Sequence, residues 1–80
     1  MGRVELFDNA HLFGDAAVSG MVVFDQGIKQ PNLYRKYKIK SDKTNDDYQM
    51  MREVTYRRYN KLAAENMELP SAIIVDGGIG

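Results

Sequence analysis

Eighty residues limit the chain to one small domain, near the size at which an unaided hydrophobic core becomes marginal. The absence of cysteine excludes disulfides and thiolate metal sites, and no apolar run approaches the roughly 18 residues that suggest a membrane span. The start, MGRVELF, has neither the basic residues nor the apolar core of a signal peptide, and the lack of cysteine fits the cytoplasmic location expected. Net charge is zero from 11 basic and 11 acidic residues, but only Arg3 of the basic set lies outside Lys29–Lys61. A neutral total gives no general pull toward nucleic acid, whereas a local basic zone can still attract phosphates. A plain solvated surface would read the same way.

The chain opens with RVELFD, residues 3–8, rich in strand formers. The two-residue period puts Val4, Leu6 and Asp8 on one face. NAHLFGD, 9–15, reads as a loop, with Gly14 and Asp15 as turn signals. AAVSGMVVF, 16–24, reads as a second strand, and Gly20 inside it signals a bulge or a close backbone contact. DQG, 25–27, is a hairpin turn, with Pro31 and Asn32 widening the loop before a third strand, LYRKYKIK, 33–40. In that strand Leu33, Arg35, Tyr37 and Ile39 share one face. Tyr34, Lys36, Lys38 and Lys40 share the other, which is expected to be wet.

SDKTNDDY opens a helix from about Asp46 to Glu65, capped by Thr44 or Asn45, with Asp46 and Asp47 at the positive end of its dipole. Tyr48, Met51, Val54, Tyr59 and Leu62 fall in one apolar sector. Arg58 falls in the same sector and needs a partner, for which Asp47 and Glu53 are candidates. Pro70 in NMELP is the expected stop. AIIVD, 72–76, is apolar on both faces and reads as an interior, parallel strand. The order is strand, strand, strand, helix, strand: an α/β domain whose helix crosses over the sheet, by default right-handed. A parallel strand normally leads into a further covering helix, so the chain is expected to be part of a larger domain. An exposed fourth strand would favour dimerisation or aggregation.

Asp8 and Asp76 each end a strand. If the first and fourth strands are parallel neighbours, the two acids lie about 5 Å apart across the strand spacing. Anions that close repel, and a hard divalent cation, Mg²⁺ or Mn²⁺, relieves the repulsion while keeping positions open for phosphate oxygens. Such a centre suits phosphodiester hydrolysis, and Gly77 and Gly78 leave room for a phosphate. Alone, either acid is equally well a turn initiator. His11 reads as a metal ligand, a proton shuttle or an ordinary loop histidine. Arg35, Lys36, Lys38 and Lys40, interleaved with Tyr34 and Tyr37, suit a nucleic-acid backbone, as do Arg52, Arg57, Arg58 and Lys61 on the helix; lysines guarding an edge strand look the same. GGIG, at 77–80, is too short for a nucleotide-binding fingerprint.

The blocks RVELFDNAH, VSGMVVFDQG, YRKYKIK, NDDYQMMREVTYRRY and LPSAIIVDGG, in this order and spacing, resemble the start of the C-terminal endonuclease domain of the UvrC family. The resemblance runs through residues 3–78 and implies a ribonuclease H-like fold, truncated here, with residues 1–2 an artificial start. It implies the metal-dependent endonuclease that makes the 5′ incision near a lesion in bacterial nucleotide excision repair. The family's first two active-site acids fall on Asp8 and Asp76. They imply Mg²⁺ or Mn²⁺ as cofactor, damaged double-stranded DNA as substrate, and UvrB, with UvrA upstream, as partners. Arg35, Lys36, Lys38 and Arg52 fall on basic positions of the family pattern and are the expected DNA-binding residues.

The family's catalytic histidine belongs to a later block resembling DEAHRF that this sequence does not contain, and His11 is not that residue. The family's usual lysine after VDGG is Ile79 here. The family's N-terminal GIY-YIG nuclease domain, UvrB-binding segment and helix-hairpin-helix motifs are likewise outside these residues. The 80 residues are therefore expected to be inactive alone. A non-catalytic binding or scaffold module, or a different metal-dependent phosphotransfer enzyme on the same fold, are the competing readings.

Overall fold

The computed structural model describes residues 2–11, 17–40 and 47–76. Two long strands form its centre, β1 (Arg3–His11) and β2 (Ala17–Asp25), paired antiparallel from Arg3↔Asp25 to His11↔Ala17. β1 thus continues through Asn9, Ala10 and His11, which the sequence suggests as loop. The ladder with β2 satisfies their backbone groups and outweighs their weak strand propensity. Residues 12–16, including Gly14 and Asp15, lie outside the described residues.

The turn after β2 is tight. Gln26 and Gly27 both have positive φ, 55° and 79°, as a two-residue hairpin turn with the twist of its strands requires. It leads into β3 (Ile28–Lys29), paired with β2 through Phe24↔Lys29 and Asp25↔Ile28. Pro31 and Asn32 therefore do not widen the hairpin loop. They interrupt the strand after it has begun, in a single 3₁₀ turn, Pro31–Leu33, because proline has no N–H to give to the ladder. Pairing resumes in β4 (Arg35–Lys38), from Val18↔Lys38 to Met21↔Arg35.

Helix α1 (Asp47–Ala64) crosses one face of the sheet. Its predicted cap residues and Asp46 lie outside the described residues. The buried stripe is Met50, Met51, Val54 and Leu62, a spacing of three and four that keeps one side of a helix inward. Met50 is absent from the predicted sector, and its inclusion turns the stripe away from Tyr48. That tyrosine is 73% exposed, at the sector's edge in the first turn. The helix ends at Ala64, within a residue of the expected Glu65 and ahead of Pro70. Asn66 takes the left-handed conformation at φ 55°; its N–H bonds the Ala63 carbonyl at 3.2 Å and the Met67 N–H bonds that of Leu62 at 2.9 Å. Those are the two bonds of a Schellman cap.

β5 (Ala72–Asp76) pairs parallel with β1, from Val4↔Ala72 to Asp8↔Asp76, giving the strand order β3-β2-β1-β5 with β4 also on β2. The parallel pairing agrees with the sequence; the interior position does not. Among the described residues β5 is the outermost strand, and Ile73, Ile74 and Val75 are each about half exposed. Two apolar faces report a demand for burial, not a place in the strand order.

The core lies between α1 and the sheet. It gathers Phe7, Ala17, Met21, Val23, Ile39, Met50, Met51 and Val54, with Tyr34, Tyr37 and Tyr59 packed against it. The Phe7 ring meets Tyr59 edge-on at 6.1 Å and Tyr37 at 6.5 Å. Tyr34 is thus half-buried rather than wet. Along β2 residues 17, 19, 21 and 23 are buried and 18, 20, 22 and 24 only partly so, which fixes the phase of the sheet. Glu5 and Phe7 face the helix; Val4, Leu6 and Asp8 take the opposite face.

Candidate metal and nucleic-acid site

The two predicted acids meet in the parallel ladder. Asp8 on β1 and Asp76 on β5 are register partners, so the positions stand side by side on the face opposite the helix, one strand spacing or about 4.8 Å apart. Asp8 is exposed. The pairing is a consequence of topology: the crossover through α1 returns the chain parallel to β1 and sets Asp76 beside Asp8, which lies within β1, three residues before its last residue, rather than at its end. Two carboxylate positions with only oxygen donors fit a hard divalent cation better than a softer metal. Gly77, Gly78 and Ile79 lie outside the described residues.

The row continues across the sheet. Asp8 is opposite Gly20 on β2, and Gly20 is opposite Lys36 on β4. Lys38, opposite Val18, keeps the same phase, and both lysines are exposed. Two of the four predicted DNA-binding residues therefore share the face of Asp8. Arg35 has the other phase, and its guanidinium donates to the carbonyls of Tyr34 (2.8 Å) and Asn32 (3.3 Å), closing the end of the 3₁₀ turn. Arg52 is exposed on α1, the element that covers the far side of the sheet. Position 11 pairs with Ala17 and keeps the phase of Glu5 and Phe7, so backbone register does not bring it onto the face of Asp8.

Arg58 has its partner, and it is neither Asp47 nor Glu53. It donates from Nε to Glu5 Oε1 (3.2 Å) and from Nη2 to Oε2 (2.9 Å). Glu5 is fully buried and also accepts from Tyr59 Oη (2.6 Å) and Arg3 Nε (3.0 Å). Arg3 in turn donates to the Glu68 carbonyl (2.7 Å), and its own carbonyl accepts from the Ser71 N–H (2.8 Å). One carboxylate thereby ties β1 to α1 and, through Arg3, to the segment leading into β5. Burial pushes the Glu5 carboxyl up, but the bonds from Arg58, Tyr59 and Arg3 outweigh it and hold it below the usual range. The bond to Glu5 raises Arg58 further, and burial followed by that same carboxylate raises the Tyr59 phenol.

Glu5 was missed because an acid between Val4 and Leu6 reads as the solvent side of a strand. The available signal was Arg58 in an apolar sector, which demanded an acid from elsewhere. Glu53 serves a different pair: it accepts from Arg57 Nη1 (3.2 Å) and the Lys40 N–H (2.8 Å). Arg57 also donates to the Lys38 carbonyl (2.7 Å) and lies over the Tyr37 ring at 5.6 Å.

An antiparallel hairpin sheet, a crossover helix and a parallel strand that aligns a second acid with the first define a ribonuclease H-like α/β domain. Across residues 1–80 the sequence matches the family model described as the UvrC RNAse H endonuclease domain, and the chain belongs to that family. It is 49% identical over 76 residues to the UvrABC system protein C of Malacoplasma penetrans (strain HF-2), covering 95% of the chain and 13% of that protein. It is 47% identical over 78 residues to the UvrABC system protein C of Streptococcus pyogenes serotype M5 (strain Manfredo), covering 98% of the chain and 13% of that protein. The chain therefore spans about an eighth of the length of these relatives. Among the described residues no helix is long and apolar enough to cross a membrane.

Proposed function

We propose that this domain is the metal-dependent DNA endonuclease segment of an excision-repair protein, with Asp8 and Asp76 as its acid pair. The observation that carries the reading is the register of position 8 with position 76 in adjacent parallel strands. Asp8 and Asp76 would hold Mg²⁺ or Mn²⁺, which supplies an activated water and charge stabilisation for phosphodiester hydrolysis. The chain's own part is to fix both acids on rigid strands and to present phosphate-attracting cations on the same face. Lys36 and Lys38 have that placement. Arg52, on the helix side, would meet DNA only where the duplex passes the domain's flank, and Arg35 is partly engaged by backbone carbonyls.

The substrate in this reading is damaged double-stranded DNA cut on the 5′ side of the lesion, in the cytoplasm, with UvrB as the partner in the intact protein and UvrA acting upstream. Two acids are a minimal metal site, and the family's histidine block is not in this sequence, so the 80 residues alone are proposed not to cut. The test is nicking of lesion-bearing duplex by the intact protein with Mn²⁺ or Mg²⁺. Asp8→Asn and Asp76→Asn are each expected to abolish the cut without lowering the melting temperature. Cutting at the parental rate by either variant would overturn the assignment.

A further inference from the structure

Gly20 stands in the middle of β2, where glycine weakens a strand through backbone entropy and lost packing. Three internal reasons would justify it, and none applies. Its backbone does not need glycine, since Gly27 is the glycine with positive φ among the described residues. It is not a bulge: the registers with β1 and β4 run unbroken through Asp8↔Gly20 and Gly20↔Lys36. No close approach excludes a side chain either; the nearest atom to an added Cβ among the described residues is the Asp8 carbonyl oxygen at 4.0 Å, an ordinary contact. The fold would accept alanine, so the missing side chain serves something outside the fold.

The absence makes a hollow on the face of Asp8. Val18 and Val22 flank it along β2, and Asp8 and Lys36 flank it across the sheet. A mostly apolar groove opens there between Gly20, Met21, Val22, Tyr34, Arg35 and Lys36, with Lys36 as an exposed cation. Lys36 and Asp8 are two strand spacings apart, about 10 Å, with position 20 between the cation and the acid pair. A phosphodiester strand crossing the sheet along this row would meet an ammonium at one end, a metal-suited acid pair at the other, and no side chain in the middle.

We infer that Gly20 floors the seat of a DNA backbone phosphate adjacent to the one at Asp8 and Asp76, with Lys36 as its counter-charge. The inference rests on the nuclease reading of those acids and adds a subsite to it. The test titrates the 80-residue chain with a short blunt DNA duplex, following amide resonances, for the parent, Gly20→Ala, Gly20→Val and Lys36→Ala. Shifts are expected at residues 20–22 and 34–36. Affinity should fall about threefold for Gly20→Ala and about tenfold for Gly20→Val and Lys36→Ala. Gly20→Ala should melt at or above the parental temperature, because alanine restricts the unfolded chain; that separates loss of the seat from loss of the fold.

Parental affinity in Gly20→Val, shifts confined to the helix around Arg52, or no shifts at all would each overturn the seat. Line broadening near Asp8 on adding Mn²⁺ to the parent reports on the nuclease reading separately. Broadening with unaltered duplex binding in the Gly20 variants overturns the seat alone. No broadening overturns the nuclease reading and the seat with it.

Discussion

The two faces of one strand behave oppositely. On the helix side of β1, Glu5 is fully enclosed and Phe7 is in the core; on the other side Val4 and Leu6 are half-buried and Asp8 is exposed. Both faces carry a carboxylate, three residues apart. The enclosed one is held by two arginines and a tyrosine, so its charge is committed to the fold. The exposed one stands in register with Asp76 on the open face, where its charge can meet a ligand. Sequence type does not distinguish the two; phase does. The closed face accounts for stability and the open face for the proposed chemistry, and substitutions on each should separate accordingly.

Glu5→Ala is the largest expected effect. Removing one partner of an enclosed ion pair leaves Arg58 uncompensated, at a cost of about 3–5 kcal/mol. In a domain this small that is expected to unfold much of the population, seen as loss of the cooperative transition in urea. Acid should act through the same carboxylate. Glu5 titrates lower in the folded chain than its ordinary 4.5, so the unfolded chain takes up its proton first. The stabilisation is complete above the ordinary value and is lost as pH falls through it toward the folded value. Urea midpoints measured downward from neutrality should drop in that acid window.

Tyr59→Phe removes the 2.6 Å bond to Glu5 and is expected to cost about 1–2 kcal/mol, read from the urea midpoint with unchanged slope. Ser19→Ala should go the other way. The Ser19 hydroxyl is buried with no hydrogen-bond partner among the described residues, so its removal should stabilise by roughly 1 kcal/mol. On the open face Asp8→Asn should leave stability within about 0.5 kcal/mol, while removing metal binding. A large loss of stability in Asp8→Asn would erase the division between the faces.

Much of the layout was legible because its signals are local. The Gln26–Gly27 turn, the three-and-four spacing of the α1 stripe and the apolar run before Asp76 each speak within a few residues. From them follows the antiparallel hairpin, the crossover and the alignment of Asp8 with Asp76. What was not legible depends on distant partners. Glu5 and Arg58 lie 53 residues apart, and no window contains both. The helix end near Glu65 was read to within a residue, but not its cap at Asn66, a residue that tolerates the left-handed region. The place of β5 at the sheet edge among the described residues was hidden because burial demand and strand order are different properties. The basic zone looked uniform in sequence, yet the fold splits it, placing Lys36 and Lys38 with Asp8 and Arg52 on the helix.

The central claim, that positions 8 and 76 serve one ion, is tested most directly by a double-mutant cycle on Mn²⁺ affinity. Calorimetry on the parent chain, Asp8→Asn, Asp76→Asn and the double variant supplies the four values. A shared ion predicts that either single substitution removes most of the binding and that the second adds little. Additive losses, or a substitution at one position without effect, would show that the two acids do not hold a common cation.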